Sequence, residues 1–353
     1  MDKIYELKDK VFLLDPSSHM NGLIAERLKV IVREISKLYP DCSILLGGSM
    51  AYGEGKIKIS EDGTHTVASD ADIFLVFPSL FKCLAARKDA RLLSISGLEG
   101  ALKSVEFVVA WEGALKLNLT TIAGEPLKES SSIVNTLNSL HAPEPINNLK
   151  RAYKFLIKAV SMESGSEEFY RKSVIQAFQA LLLANERKFG YNEWKNFYSL
   201  KYCIQKAENY SHILDKQLAV FVQNAISCQL SGREVNFSSP VEQYRLISEL
   251  LRIVRDKVSI SFKLNDYLRF MAYHFQRKQF INPFTNSTIL FFETADKILE
   301  LFDKQNISEN EALDYFLKLT GEKLDPAVGV NKIIKKMADV LMVYDKAYLH
   351  KVS

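Results

Sequence analysis

The sequence predicts an α+β protein in which a mixed sheet with flanking helices is followed by an all-helical region. Three observations lead there. Apolar runs of strand length, at 44–46, 73–77 and 105–111, are bounded by glycine, proline and acidic residues and crowd into the first part of the chain. Beyond residue 149, apolar residues recur at three- and four-residue spacing, as in Val174, Ile175, Phe178, Leu181 and Leu182. At 353 residues the chain is long enough for two cores of ordinary size. The predicted division is 1–148 for the sheet-bearing domain and 149–353 for the helical one.

Taken in order, Ser17 and Ser18 offer capping oxygens to a helix carrying Ile24, Leu28, Ile31, Val32, Ile35 and Leu38 on one face. Tyr39-Pro40 ends it and delivers the chain to a strand, Ile44-Leu45-Leu46, that runs into Gly47-Gly48-Ser49. The interval 50–69 reads as a hairpin, with 56–60 and 64–68 flanking an Asp62-Gly63 turn. Ile73 to Phe77 form the next strand, entered through Asp70 and Asp72. Residues 80–93 read as one short helix. Strands at 105–111 and 115–122 follow, joined by a hairpin turn at Glu112-Gly113. The polar interval 124–148, with its prolines, reads as a linker holding one helix near 130–140. Five apolar stripes between 153 and 341 then argue for a helical bundle.

The chemistry concentrates between residues 43 and 77. A strand that ends in Gly-Gly-Ser can bring bare backbone N–H groups close to a phosphate, because glycine removes the Cβ obstacle. Residues i and i+2 of a strand share a face, so Asp70 and Asp72 project together. Two like charges on one face are stabilised by a cation between them. Phosphate cradled on one side and hard divalent metal held on the other is the equipment of two-metal phosphoryl transfer.

Gly47-Gly48-Ser49 followed by Asp70-Ala71-Asp72 on the next apolar strand resembles the DNA polymerase beta-type nucleotidyltransferase superfamily. The resemblance covers roughly the first 150 residues. The 50–69 interval is longer than that family usually has, and a loop-tip insertion accounts for it. What the resemblance implies is an NTP in a cleft between the two domains. Asp70 and Asp72 would hold two Mg²⁺ ions, with Mn²⁺ as a substitute. Gly48 would bind the β/γ-phosphates through its N–H, and Ser49 would add its hydroxyl.

The family also implies a third carboxylate on a later strand. Glu106 is the favoured candidate, as metal ligand and general base; Asn118, on the strand expected after it, is the alternative. An amide in that position would leave a non-enzymatic nucleotide-binding scaffold. Lys172, in Tyr170-Arg171-Lys172-Ser173, is the expected triphosphate contact from the helical side, against the plainer reading of a solvated lysine at a helix start. Glu54, between Gly53 and Gly55, belongs to the same loop without an assigned role. Arg269 and His274 match the Arg-x4-His spacing of HEPN-type ribonucleases, a short pattern that a core helix also explains.

Composition narrows the partners. A formal net charge of +4 is too small to announce a phosphate-tracking surface, so a small acceptor is favoured over a protein or an RNA end, and long nucleic acid is disfavoured. Four scattered cysteines fit neither a zinc site nor a disulfide framework and read as buried thiols. The charged N-terminus lacks the apolar stretch of a signal peptide, and no apolar run reaches the roughly 20 residues of a membrane span. The expected compartment is cytoplasmic, with no membrane partner.

Overall fold

Helix α1 (Met20–Leu38) buries Ile24, Leu28, Ile31, Val32 and Ile35 along one face, as their spacing requires. The Ser18 hydroxyl accepts the Met20 N–H at 3.2 Å, satisfying one donor of its first turn. The computed structural model describes residues 7, 10–15, 18–59, 61–96, 105–113, 115, 124–139, 144–162, 166–186, 195–210, 212–231, 239–258, 287–303, 309–320, 323–325, 329–343 and 350–352.

Strand β1 (Ser43–Gly47) runs into a four-residue helical turn, α2 (Gly48–Ala51). The hairpin of β2 (Ile57–Ile59) and β3 (His65–Val67) follows, with Gly63 at φ +79°, a left-handed conformation that glycine adopts without cost. Strand β4 (Ala71–Phe77) pairs antiparallel with β1, and β5 (Val105–Trp111) pairs parallel with β4. A parallel neighbour needs a crossover, and α3 (Leu80–Ala86) with α4 (Ala90–Ser96) supply it.

Side chains alternate across this sheet. Ile44, Leu46, Ile73, Leu75, Phe107 and Val109 pack against α1, α3 and α4. Leu45, Phe74, Val76 and Ala110 occupy the opposite face, where Ile133 covers part of them. The face that carries Asp72 is therefore the thinly covered one.

Three expectations are corrected. Residues 80–93 are two helices rather than one, broken at Arg87 to Asp89. There Asp89 accepts the Arg91 backbone N–H at 3.0 Å and restarts the helix. Glu112, Gly113 and Leu115 are helical, not a hairpin turn into a strand. The reason is edge availability: β5 is bonded to β4 on one side and to β7 (His350–Val352) on the other, so no edge is left for a hairpin partner. Residues 116–123, the rest of that expected strand, lie outside the described residues. The interval 124–148 is more than a linker, because it contains strand β6 (Glu125–Lys128), helix α5 (Ser131–Ser139) and the start of α6 (Pro145–Val160). Pro126 disguised β6. A proline is tolerated there because β6 is the edge of the sheet, whose order among the described residues is β6-β1-β4-β5-β7.

From Pro145 to Val343 the described elements are helical. They are α6, α7 (Glu167–Asn185), a short 3₁₀ turn (Lys195–Tyr198), α8 (Leu200–Asn209), α9 (Lys216–Ser231), α10 (Pro240–Lys257), α11 (Ser287–Asp303), α12 (Glu309–Thr320) and α13 (Val330–Val343). Helices α6 and α7 pack along each other, tied where Ser173 Oγ donates to the Ala152 carbonyl at 2.8 Å. Their buried residues, with those of α9 to α13, form a core distinct from the one under the sheet. Leu181, Leu182 and Phe178 are wholly enclosed, each worth roughly 1.5–3 kcal/mol of burial. All four cysteines are free and buried, as expected. Among the described residues no helix is long and apolar enough to cross a membrane.

Candidate active site

The site starts from pairing register. Gly47 lies opposite Asp72 on β4, and Asp72 lies opposite Glu106 on β5. Directly paired residues share a face, so three adjacent strands bring a glycine and two carboxylates into one row. Both carboxylates are half-buried. Asp70 sits one residue before β4 begins, outside the paired ladder.

Gly48 follows with φ +65°, and a Cβ built there would collide with a carboxylate oxygen of Asp72. The turn and the carboxylate therefore require glycine for two independent reasons, conformation and space. The Asp72 side chain lies directly against the turn that bears Ser49.

Across from this row runs one face of α7. Lys172, Ile175, Gln176 and Gln179, spaced three and four apart, line a cleft of about 360 Å³ together with Gly48, Ser49, Tyr52, Glu54 and Asp72. Arg151 of α6, Tyr198 and Gln229 complete its polar wall. Gly48, Ser49, Asp72 and Lys172, singled out from sequence, thus meet in one place. Asp70 and Glu106 are not among the described residues that line it. Asn118, Arg269 and His274 lie outside the described residues.

Lys172 is partly exposed and ion-paired along its own helix. Its Nζ is 2.5 Å from a Glu168 carboxylate oxygen and stands 5.6 and 5.9 Å from the ring centres of Phe169 and Phe155. Its neighbour Arg171 has Nε and Nη1 buried with no hydrogen-bond partner among the described residues, and the buried Gln176 Oε1 has none among them either. Gln179 is buried too, and it accepts from Gln176 Nε2 at 2.9 Å and from Asn148 Nδ2 at 3.3 Å. Burial raises the Tyr198 hydroxyl above its ordinary pKa, which keeps it a proton donor at neutral pH.

Glu54 has the clearest geometry of all. Its carboxylate, 3% exposed, accepts from Ser199 Oγ at 2.6 Å and from the backbone N–H groups of Leu200 and Lys201 at 2.9 Å each. It therefore caps the N-terminus of α8 from 145 residues away in sequence. Ser199 Oγ takes the Tyr202 N–H, so side chains satisfy three of the first donors of that helix. The Glu54 backbone N–H donates in turn to the Ser49 carbonyl at 2.8 Å. The glycine turn is thereby anchored to the helical bundle. A glutamate between two glycines was the only sequence signal for this, and Gln176 and Gln179 showed only as polar residues interrupting an apolar stripe.

Fit to a divalent metal follows from the donor set. Asp72 and Glu106 are hard oxygen donors, and Mg²⁺ is commonly held by one or two carboxylates with phosphate oxygens completing its shell. The row fits a metal shared with a phosphate ligand. A pre-formed cage is another matter: among the described residues no group of three or more His, Cys, Asp or Glu is arranged to hold a metal.

The Asp72 carboxylate beside a glycine turn on one wall faces cations and amides on the other. No protein-family model, no curated protein and no solved structure shows significant similarity to the chain.

Proposed function

We propose that the chain is a Mg²⁺-dependent nucleotidyltransferase that moves a nucleoside monophosphate from an NTP to a small acceptor. The observation that carries this reading is the Gly47–Asp72–Glu106 row, with Gly48 bare because the Asp72 carboxylate fills the space of its Cβ. In this reading residues 1–148 are the catalytic domain and 149–353 the helical domain, working in the cytoplasm.

The roles follow from chemistry. The Gly48 N–H and the Ser49 hydroxyl donate to the β/γ-phosphates, and Lys172 neutralises charge from the opposite wall. Gln176 Oε1, buried and without a partner among the described residues, accepts from an N–H or O–H of the nucleotide. Asp70, Asp72 and Glu106 would hold the metal, and of these Asp72 and Glu106 share the row. A bound metal pair supplies neutralisation of phosphate charge and a lowered pKa at the attacking hydroxyl. The acceptor oxygen bonds to the α-phosphorus as its proton passes to Glu106, and the α–β phosphoanhydride bond breaks to release pyrophosphate. Positioning and charge stabilisation supply the rate.

A second reading is a nucleotide-binding scaffold without turnover. It is favoured by the lack of a three-carboxylate group among the described residues. Binding and pyrophosphate release with each of the four NTPs, in Mg²⁺ or Mn²⁺, separate the two. Metal-dependent release that disappears in Asp70→Ala/Asp72→Ala supports the transferase. Binding without release across a panel of phosphorylated and hydroxylated acceptors supports the scaffold. No metal-dependent NTP binding sinks both.

A further inference from the structure

A second cleft, of about 500 Å³, is lined in part by Gly55 and Lys56, which follow Glu54 in the chain. Its polar lining is Lys56, His19, His65, Ser18, Ser231 and Asp15. The imidazoles of His19 and His65 face one another with ring centres 5.8 Å apart. Neither the β2–β3 hairpin nor α1 makes this pocket alone. The hairpin brings Lys56 and His65, the start of α1 brings Ser18 and His19, and the end of α9 brings Ser231.

The charge around it is unbalanced. Burial first, and then the neighbouring Arg171, pull the Lys56 ammonium below its ordinary pKa; Lys172 adds to this and Glu168 opposes it. Glu168 is already paired with Lys172. Arg171 keeps two buried guanidinium nitrogens without a partner among the described residues. Asp15 is the one acidic side chain among the described lining residues. An anion resting at Lys56 relieves its repulsion with Arg171 and Lys172. Ile57, Ile59 and Leu230 add apolar wall beside the charges, and Ile59, 62% exposed, marks the mouth. The volume falls in the range of ordinary small-ligand pockets.

The Lys56 backbone ties this cleft to the segment that enters β4. Its N–H donates to Ser69 Oγ at 2.9 Å, and its carbonyl accepts from the Ala68 N–H at 2.8 Å, immediately before Asp70. A molecule held by Lys56 therefore sits beside the segment that enters β4.

We propose that this second cleft binds a phosphate-bearing small molecule, with Lys56, His19 and His65 on the phosphate and the apolar wall against the rest. That the molecule is the acceptor of the transfer rests on the transferase reading; its binding does not. A neutral imidazole carries one N–H donor and one acceptor nitrogen, so both rings can hydrogen-bond a phosphate.

Calorimetric titration of the full chain with AMP, ribose 5-phosphate and adenosine, without NTP, tests this. Saturable binding of the two phosphates and none of adenosine is expected. Affinity falls at least tenfold in Lys56→Gln and in the His19→Gln/His65→Gln double variant, and Lys56→Arg restores it. Ser49→Ala and Asp72→Asn leave AMP affinity within twofold while weakening Mg²⁺–ATP. AMP binding tighter than ribose 5-phosphate identifies a nucleotide ligand; equal affinities identify a sugar phosphate. Loss of AMP binding in Ser49→Ala but not in Lys56→Gln overturns the second site and leaves the transferase standing. No binding of either phosphate overturns the proposal outright. Thermal melts of each variant separate lost binding from lost folding.

Discussion

Replacing Glu54 by glutamine changes one oxygen to an amide group and removes a charge at the point where the glycine turn meets the helical bundle. In the native chain one carboxylate oxygen takes Ser199 Oγ and the Lys201 N–H, and the other takes the Leu200 N–H. Glutamine keeps the first pair if its oxygen is turned toward them. Its NH₂ then faces the Leu200 N–H, donor against donor. One charge-assisted hydrogen bond, about 1.5–3 kcal/mol, is lost. The favourable charge at the helix N-terminus, about 0.3–1 kcal/mol and more when buried, goes with it. Together these predict a loss of about 2–4 kcal/mol. At roughly 2–4 °C per kcal/mol the melting temperature drops by roughly 4–16 °C. Scanning calorimetry of wild type and Glu54→Gln measures it. A cycle with Ser199→Ala isolates the coupling, expected at about 1 kcal/mol or more because the two side chains share a hydrogen bond. A Glu54→Gln melting temperature within 1 °C of wild type would refute the clamp, as would strict additivity with Ser199→Ala.

Other consequences are direct. Gly48→Ala strains a left-handed residue by about 1–2 kcal/mol and pushes its methyl into the Asp72 carboxylate, so metal-dependent NTP binding measured by calorimetry is expected to fall at least tenfold with modest loss of stability. Lys56 titrates below its ordinary value of 10.5, so between its folded value and 10.5 the unfolded chain binds more protons and this residue's contribution to stability rises with pH. Below that window its full cost is present, and Lys56→Met is expected to raise the melting temperature at pH 7 and to flatten that rise. The four cysteines are buried, and burial pushes the Cys203 thiol up to about 12. A disulfide exchange reagent at pH 8 is therefore expected to find almost no reactive thiol in the native chain and all four in guanidinium; rapid labelling of the native protein would contradict this core.

Local sequence carried much of this architecture. Helix α1, strands β1, β4 and β5, the β2–β3 hairpin and the helical character beyond residue 149 follow from periodicity and turn chemistry, which act over a few neighbouring residues. The meeting of Gly48, Ser49 and Asp72 was legible for the same reason, since a Gly-Gly-Ser strand end and an Asp-bearing strand start were both written locally. Lys172 reached the cleft by its place on the α7 stripe.

Tertiary structure alone decided the rest. Only the β4–β5 register sets Glu106 beside Asp72 and leaves Asp70 outside the ladder. Only edge position explains why Glu125-Pro126-Leu127-Lys128 is a strand, and only the filling of both β5 edges explains why Glu112-Gly113 is not a turn. The Glu54 cap joins residues 145 apart, and the second cleft gathers Lys56, His19 and His65 from separate elements. Such contacts leave no periodic trace. A carboxylate that will cap a distant helix has the same local preferences as one that stays in water, and the difference is set by which surfaces the packed cores bring together.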